Sequence, residues 1–287
     1  MAAAPAGLRA AAAPVGLRAT HQTDTARRPP RGGEPWCDND VVLRTYRDRA
    51  IVLRTYKLGE ADRILVLLGR SSGQIRAVAK GVRRTSSKFG ARLSSFNLVD
   101  IQCHRGSGLH TVTQAETVSA YSDSLAADYS AFTNAKLLVE AAQKISEGNE
   151  DPVPEQFDLL HGALHSLASS SHPPTLVGAA YLLRAVGLEG WSPTLTSCVL
   201  CGEDQGLTYF STSQGGAVCE VCGPASGVRV DPELLTLMDA LMSGDWDTAE
   251  ATSPHLWEEA QTLAGHWTQW HLEQKLRSLP FATSGSF

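Results

Sequence analysis

Four of the six cysteines form two pairs with a spacing typical of structural zinc sites. The pattern is C-x2-C-x17-C-x2-C, in which each pair can supply two thiolates to a tetrahedral ion. Glycine follows the second cysteine of each pair, at Gly202 and Gly223, where a tight turn around a metal can require a positive φ. We predict one structural zinc ion per chain, with the ligands Cys198, Cys201, Cys219 and Cys222.

The alternative interpretation of these cysteines is a pair of disulfides or four free thiols. Disulfides persist in oxidising compartments. Arg9 and Pro14 interrupt the apolar run that a signal peptide would need, so zinc is favoured. Cys37 and Cys103 lie outside the pattern and receive no role.

The basic residues are concentrated in one part of a chain whose net charge is −5. Residues 44–105 contain fourteen Lys/Arg and four Asp/Glu, whereas residues 106–287 contain six and twenty-two. A compact cationic module attracts phosphate backbones and releases their counterions. An ordinary solvated basic surface is the alternative. The segregation favours a nucleic-acid-binding module followed by an acidic one.

Nine basic side chains and one aromatic ring are predicted to contact DNA. Basic side chains would follow the phosphates without sequence preference, and an aromatic ring would stack on a base. Phe89 is the predicted stacking residue and Tyr56 a weaker candidate, and either ring can instead fill the core. The predicted contacts are Arg54, Lys57, Arg63, Arg76, Lys80, Arg83, Arg84, Lys88, Phe89 and Arg92.

Catalytic motifs are not evident, and we predict that the chain is not an enzyme. His161 and His165 are four residues apart on a predicted helix, but the glutamate of a zinc-protease helix is missing between them. We interpret them as ordinary helical histidines. A zinc hydrolase would need an open metal position, which four cysteine ligands do not leave.

Five short strands are predicted within about seventy residues, a number typical of a small barrel such as the OB-fold. β-rich runs bounded by turn residues, and alternation of polar and apolar residues over 74–79, predict them near residues 50–56, 63–68, 74–79, 96–103 and 109–117. A glycine-punctuated basic loop, residues 80–92, joins the third strand to the fourth. We predict an α+β multidomain chain that begins with a five-stranded OB-fold barrel.

The rest of the chain has helical periodicity. Helices are predicted over residues 125–145, 157–167, 176–188, 232–242 and 254–279, and Trp257, Trp267 and Trp270 are predicted to pack in the core. The resulting domains are an OB-fold domain over residues 44–121 and an all-helical domain over residues 122–287. The helical domain contains an inserted cysteine module, residues 196–224.

Residues 1–43 are rich in Ala, Arg and Pro, and are predicted to be a disordered tail or a mis-annotated start. Leu43-Arg44-Thr45-Tyr46 recurs at residues 53–56, which places the expected start of the folded chain near Val41 or Val42. No apolar stretch is long enough for a predicted membrane span.

Two segments of the barrel resemble the opening of proteins of the RecO family. They are residues 46–64 and residues 79–89, the second followed by Leu93 and Phe96. The resemblance extends over about residues 44–280 and includes the order of the domains. In this family an OB-fold precedes a helical domain that often carries a four-cysteine zinc site. The predicted basic residues match the cationic OB surface of the family, and the four cysteines match its zinc ligands.

The resemblance implies a recombination mediator in DNA repair. Such a protein binds single- and double-stranded DNA and anneals complementary strands, including strands coated by single-stranded-DNA-binding protein (SSB). It partners RecR and indirectly assists RecA loading, in the cytoplasm at the nucleoid. The alternative function is an RNA- or promoter-directed zinc-ribbon protein, which would show sequence or RNA selectivity.

Overall fold

The computed structural model describes residues 44–85, 87, 89–148, 151–225 and 227–283. The predicted tail, residues 1–43, lies outside these residues. The first five strands are β1 (Thr45–Leu58), β2 (Asp62–Gly69), β3 (Gly73–Ala79), β4 (Leu98–His104) and β5 (His110–Ser119). They form a closed barrel in the order β1-β2-β3-β5-β4, in which the β3–β5 pair is parallel and the other pairs are antiparallel. The predicted five-stranded OB-fold is confirmed.

The long strand β1 closes the barrel by pairing with two neighbours. Its first half pairs with β4 and its second half with β2. A bulge between Val52 and Arg54 shifts the register with β2, and such bulges bend a strand as barrel closure requires. Side chains that alternate inward, such as Leu65, Leu67 and Ile75, fill the barrel interior.

A second core joins the barrel to the helices. Outward-facing residues of β1 and β2, including Ile51, Leu53 and Val66, share one buried cluster with helical residues such as Leu125 and Leu138. The barrel wall therefore separates two cores. Because one apolar cluster spans both parts, the helices fix the orientation of the barrel.

The helical part contains eight helices among the described residues. Asp128 caps α2 by accepting a hydrogen bond from the Ala131 N–H, so the predicted helix 125–145 is divided there. The predicted helix 254–279 also ends early, at Leu272, because Glu273 adopts a left-handed conformation with φ 51°. The helices are α1 (Ser122–Ala126), α2 (Tyr129–Ile145), α3 (Pro154–Ser169), α4 (Pro174–Leu188), α5 (Pro232–Ser243), α6 (Trp246–Ala251), α7 (Pro254–Leu272) and α8 (Leu279–Thr283).

The cysteine module is built around a small antiparallel sheet. Its strands are β6 (Leu207–Ser211), β7 (Gly216–Cys219) and β8 (Val228–Arg229), in the order β7-β6-β8. Phe210 connects this sheet to the helices through an edge-to-face contact with Trp267, at 5.7 Å between ring centroids.

The three tryptophans of α7 differ in burial. Trp267 is buried, and Trp257 packs partly buried against the core, as predicted. The prediction for Trp270 is wrong, because 57% of this residue is exposed. Among the described residues, no helix combines the length and the apolar character that a membrane crossing requires.

Candidate metal centre and nucleic-acid interface

The four cysteine thiols of the cysteine module converge on one point. Their Sγ atoms all lie within 4.8 Å of one another, and Cys201 Sγ is 3.7 Å from Cys219 Sγ. Four sulfurs at about 2.3 Å from a tetrahedral zinc ion would be about 3.8 Å apart. The cluster could therefore hold a metal ion. Within the described ranges it is the one group of three or more His, Cys, Asp and Glu side chains whose ligand atoms lie this close together.

The backbone turns tightly at the first cysteine pair. The Gly202 N–H donates to the Cys198 carbonyl at 2.8 Å, and Gly202 has a φ of 80°, as its position after a metal-binding pair predicted. Gly223 has a different reason to be glycine. A Cβ atom there would lie 2.1 Å from the ring of Tyr209, so close packing and not a positive φ excludes a side chain.

The four thiols differ in how readily they ionise. Burial opposes ionisation of the Cys198 thiol, but hydrogen bonds from backbone N–H groups, first that of Cys219, outweigh it and lower its pKa to about 6. Hydrogen bonds with the thiols of Cys219 and Cys201 raise the pKa of Cys222 to about 12. Neighbouring thiolates repel one another, so all four can ionise together only when a cation compensates their charge.

The outer face of the barrel brings two predicted DNA-binding arginines together. Val66 of β2 pairs with Arg54 of β1 on one side and with Arg76 of β3 on the other. Directly paired residues project from the same face of a sheet, so two exposed guanidinium groups flank one buried valine. Within the described ranges, neither arginine forms a salt bridge with a carboxylate.

An aromatic ring lies beside this pair of arginines. Tyr56 projects from the same face two residues after Arg54, is 39% exposed, and has the Arg54 guanidinium 5.1 Å from its ring centroid. We call the surface formed by Arg54, Tyr56 and Arg76 the outer cationic face. It combines two exposed guanidinium groups with a partly exposed aromatic ring on paired strands.

Comparison with known proteins supplies the family of the chain. Two family models match it: Recombination protein O N terminal over residues 43–121, and Recombination protein O C terminal over residues 126–280. The chain belongs to the RecO family. The predicted resemblance is confirmed, and the boundary between the two matches falls where the barrel gives way to the helices.

Full-length RecO proteins are similar to the chain over most of its length. The DNA repair protein RecO of Thermobifida fusca is 46% identical over 234 residues, which are 82% of this chain and 96% of that protein. The protein of the same name from Bifidobacterium longum is 45% identical over 234 residues, which are 82% of this chain and 97% of that protein. That of Streptomyces coelicolor is 44% identical over 242 residues, which are 82% and 98% of the two chains.

The remaining predicted DNA contacts of this RecO chain are divided between the end of the barrel and the basic loop, which begins with Lys80. Arg63 of β2 pairs with Lys57 of β1 on one side and with Ala79 of β3 on the other. Ala79 faces the barrel interior, so Lys57 and Arg63 lie on the same inner face, at the end of the barrel. Lys80 is exposed directly after β3. The others lie in or beside the basic loop, where Lys88 falls outside the described residues.

Two arginines of the basic loop are engaged in local structure. Arg83 Nη1 donates to the carbonyl of Gly59 at 3.1 Å, which ties the loop to the β1–β2 turn. Arg92 Nη1 donates to the Ala115 carbonyl at 3.3 Å. Arg84 is exposed. The loop therefore holds the side chains of Arg83 and Arg92 through hydrogen bonds to backbone carbonyls.

The prediction that Phe89 stacks on a base is wrong for this conformation. Phe89 is only 3% exposed and belongs to the cluster that fills the barrel interior, together with Leu93 and Val82. A base can stack only on an exposed ring. Phe89 is instead the core residue that the alternative interpretation proposed.

Sequence reasoning missed one cation beside the outer cationic face. Lys136 of α2 lies with its Nζ atom 4.8 Å from the ring centroid of Phe96 and 5.3 Å from that of Phe132. Burial, and then the nearby Arg54 charge, lower its pKa. No sequence signal indicated it, because α2 is remote in sequence and lies in the acidic part of the chain.

The two helical histidines lie at the junction between barrel and helices. His161 Nε2 is 3.1 Å from the Tyr121 hydroxyl, and its ring stacks on Phe157. His165 makes an edge contact with the Tyr121 ring. Burial lowers the pKa of His161, which favours the neutral ring. These are packing and hydrogen-bonding roles, consistent with ordinary helical histidines.

Proposed function

We propose that the chain acts in DNA repair as a recombination mediator that binds single- and double-stranded DNA and anneals complementary strands. The outer cationic face carries this proposal. Arg54 and Arg76 can bind successive phosphates, and Tyr56 offers a surface for a base. The wider set of basic residues, Lys57, Arg63, Lys80, Arg83, Arg84, Lys88 and Arg92, would extend the path around the end of the barrel.

Charge neutralisation is the proposed mechanism. Two single strands repel each other through their phosphates, and cations that release counterions from both strands lower this barrier. The acidic helical part would confine the strands to the barrel. No bond is made or broken, so the chain is proposed to be a binding protein and not an enzyme.

The cysteine module is proposed to hold one zinc ion with a structural role. Cys198, Cys201, Cys219 and Cys222 would complete a tetrahedron, which leaves no position for a substrate. The ion would supply a cross-link between the two cysteine pairs. It would stabilise a three-stranded sheet that packs against α7 through Phe210.

The partners proposed for the chain are those that the RecO resemblance implies: SSB, RecR and, indirectly, RecA. The proposed location is the cytoplasm at the nucleoid, because SSB-coated DNA strands are found there. Size-exclusion chromatography of the chain mixed with purified RecR tests whether the two proteins bind directly. We expect them to elute together. Separate elution at micromolar concentrations would remove RecR from the proposal.

The deciding experiment is annealing of two complementary oligonucleotides, each coated with SSB and followed by fluorescence quenching. We expect rapid annealing without nucleotide, and suppression by salt. The Arg54→Gln, Arg76→Gln variant should anneal slowly. The matched control is Arg49→Gln, Arg70→Gln, which removes the same charge from two arginines that pair with Asp100 and Asp158. Tight DNA binding without annealing would contradict the mediator function.

A further inference from the structure

Helix α2 brings a lysine of the helical part to the border of the outer cationic face. This helix packs against β1 of the barrel. The Phe96 N–H donates to the Val52 carbonyl at 2.8 Å, which anchors Phe96 to β1 two residues before Arg54. Lys136 Nζ lies 4.8 Å from the centroid of the Phe96 ring. The junction between α2 and the barrel therefore holds two cations, one from each part of the chain.

Carboxylates do not neutralise these two cations. Within the described ranges neither Lys136 nor Arg54 forms a salt bridge. Glu140, one turn after Lys136, accepts hydrogen bonds from the backbone N–H groups of Arg277 and Ser278, at 2.9 and 2.8 Å. Burial, and then the Arg54 charge, lower the pKa of Lys136. Because like charges repel, an anion bound at this junction would stabilise both cations.

An aromatic stripe accompanies Lys136 along α2. Tyr129, Phe132 and Lys136 are spaced by three and four residues, so they share one face of the helix. Lys136 Nζ is 5.3 Å from the Phe132 ring centroid, in the direction of the helix N-terminus, towards which helical side chains lean. Tyr129 begins the helix and is 62% exposed. Cations beside exposed rings are the combination with which proteins bind single-stranded nucleic acid.

The length and charge of this stripe fit a short piece of single strand. Lys136 and Tyr129 are seven residues apart, which is about 10 Å along a helix that rises about 1.5 Å per residue. Stacked nucleotides of one strand are about 3.4 Å apart, so the distance corresponds to about three nucleotides. Helix α2 carries two lysines, Lys136 and Lys144, and one glutamate, Glu140, although the helical part as a whole is acidic.

We propose that the site for single-stranded DNA continues from the outer cationic face across this junction onto α2. Lys136 binds a phosphate beside Arg54, and the Tyr129 ring stacks on an unpaired base about three nucleotides away. The inference rests on the proposed binding of DNA by the barrel. It adds selectivity for single strands, because the bases of a duplex stack on one another and offer no free face to Tyr129.

The phosphate contact is tested by fluorescence anisotropy of a labelled oligothymidine with the full chain, at several salt concentrations. Lys136→Gln should weaken binding about fivefold at about 0.1 M salt and reduce the slope of log affinity against log salt by about 0.7. Lys136→Arg keeps the charge and should keep the slope. The matched control is Lys144→Gln, which removes the same charge from the same helix, at a lysine that donates to Gln274 at 2.7 Å. An unchanged slope in Lys136→Gln, or an equal change in Lys144→Gln, would overturn the assignment of Lys136.

The stacking contact has a different signature. Tyr129→Ala should weaken single-strand binding at least about fivefold at every salt concentration, with an unchanged slope, because no charge is lost. The affinity for a duplex of the same length should not change. Tyr129→Phe keeps the ring and should restore binding, and Phe281→Ala, which removes a ring that is also 62% exposed, is the control. Unchanged single-strand affinity in Tyr129→Ala, or an equal loss for the duplex, would overturn the proposal even if the Lys136 variants do not fold.

The same titrations distinguish failure of this inference from failure of the proposed function. If Arg54→Gln, Arg76→Gln weakens binding while Lys136→Gln and Tyr129→Ala bind as the unaltered chain does, the strand stays on the barrel. The extension onto α2 is then refuted and the proposed function survives. If the unaltered chain does not bind the oligothymidine, both are refuted.

Discussion

Neutralising Arg54 and Arg76 is expected to weaken binding to single-stranded DNA by an amount that depends steeply on salt. The two arginines flank Val66 on one face, and each can neutralise one phosphate. Each phosphate contact with a single strand contributes about 0.7 to the slope of log affinity against log salt. The Arg54→Gln, Arg76→Gln variant should therefore lose about 1.4 from this slope.

The same relation gives the change in affinity at each salt concentration. At about 0.1 M salt each lost contact costs about fivefold, so the double variant should bind about 25-fold more weakly. At about 0.5 M salt the difference should shrink to about threefold. Fluorescence anisotropy of a labelled oligonucleotide, titrated at several salt concentrations, measures both quantities.

The control variant distinguishes the loss of local phosphate contacts from the effect of a lower net charge on DNA affinity. Arg49→Gln, Arg70→Gln removes the same net charge, but these arginines already pair with Asp100 and Asp158. It should change the slope by clearly less than the first variant. An equal reduction in both variants, or an unchanged slope in the Arg54, Arg76 variant, would refute the assignment of the outer cationic face.

Three further predictions concern the metal, the barrel core and the packing of the helices. Chelation or Cys201→Ser should remove one zinc ion per chain, measured by elemental analysis. The melting temperature of the helical part should then fall while the affinity of the barrel for DNA is retained. Metal-free protein with an unchanged melting temperature would contradict this. Phe89→Ala should reduce the free energy of unfolding by about 3–5 kcal/mol in a urea titration, whereas a small effect with a large loss of DNA affinity would restore the stacking role. Gly178→Ala should cost about 1–3 kcal/mol in the same assay, because a Cβ would lie 2.2 Å from Gln261 Nε2 and 2.3 Å from Asn134 Oδ1 and disturb their buried hydrogen bond. Gly162→Ala, on an open helix surface, is its control, and an equal loss there would count against this explanation.

The sequence determined the elements whose signal is local. Runs of β-forming residues between turn signals predicted the five barrel strands. Residues 74–79 also alternate between polar and apolar types, because the period of side chains along a strand is two and one side of that strand faces the barrel interior. The spacing of Cys198, Cys201, Cys219 and Cys222 predicted the cluster, because the geometry of a metal site restricts how its ligands are spaced. The segregation of charge pointed to the barrel as the nucleic-acid-binding part.

Local patterns located the helices better than their ends. The division at Asp128 depends on a side-chain cap, and the end of α7 depends on a left-handed Glu273, a conformation that residue type does not favour. Trp270 shares a helix with the buried Trp267 but lies on its exposed side. Periodicity identifies the apolar face of a helix. The neighbouring elements decide how much of that face is buried.

Only the tertiary structure decided which side chains meet. Arg54 and Arg76 share a face with Val66 because of the strand register and a bulge after Val52, and a shift of one residue would place them on the opposite face. Lys136 lies on a helix far along the chain, yet it comes close enough to Arg54 for the two charges to interact. Sequence patterns report the preferences of neighbouring residues. Contacts between distant residues are set by barrel closure and helix packing, which together decided that the ring of Phe89 fills the core and does not face DNA.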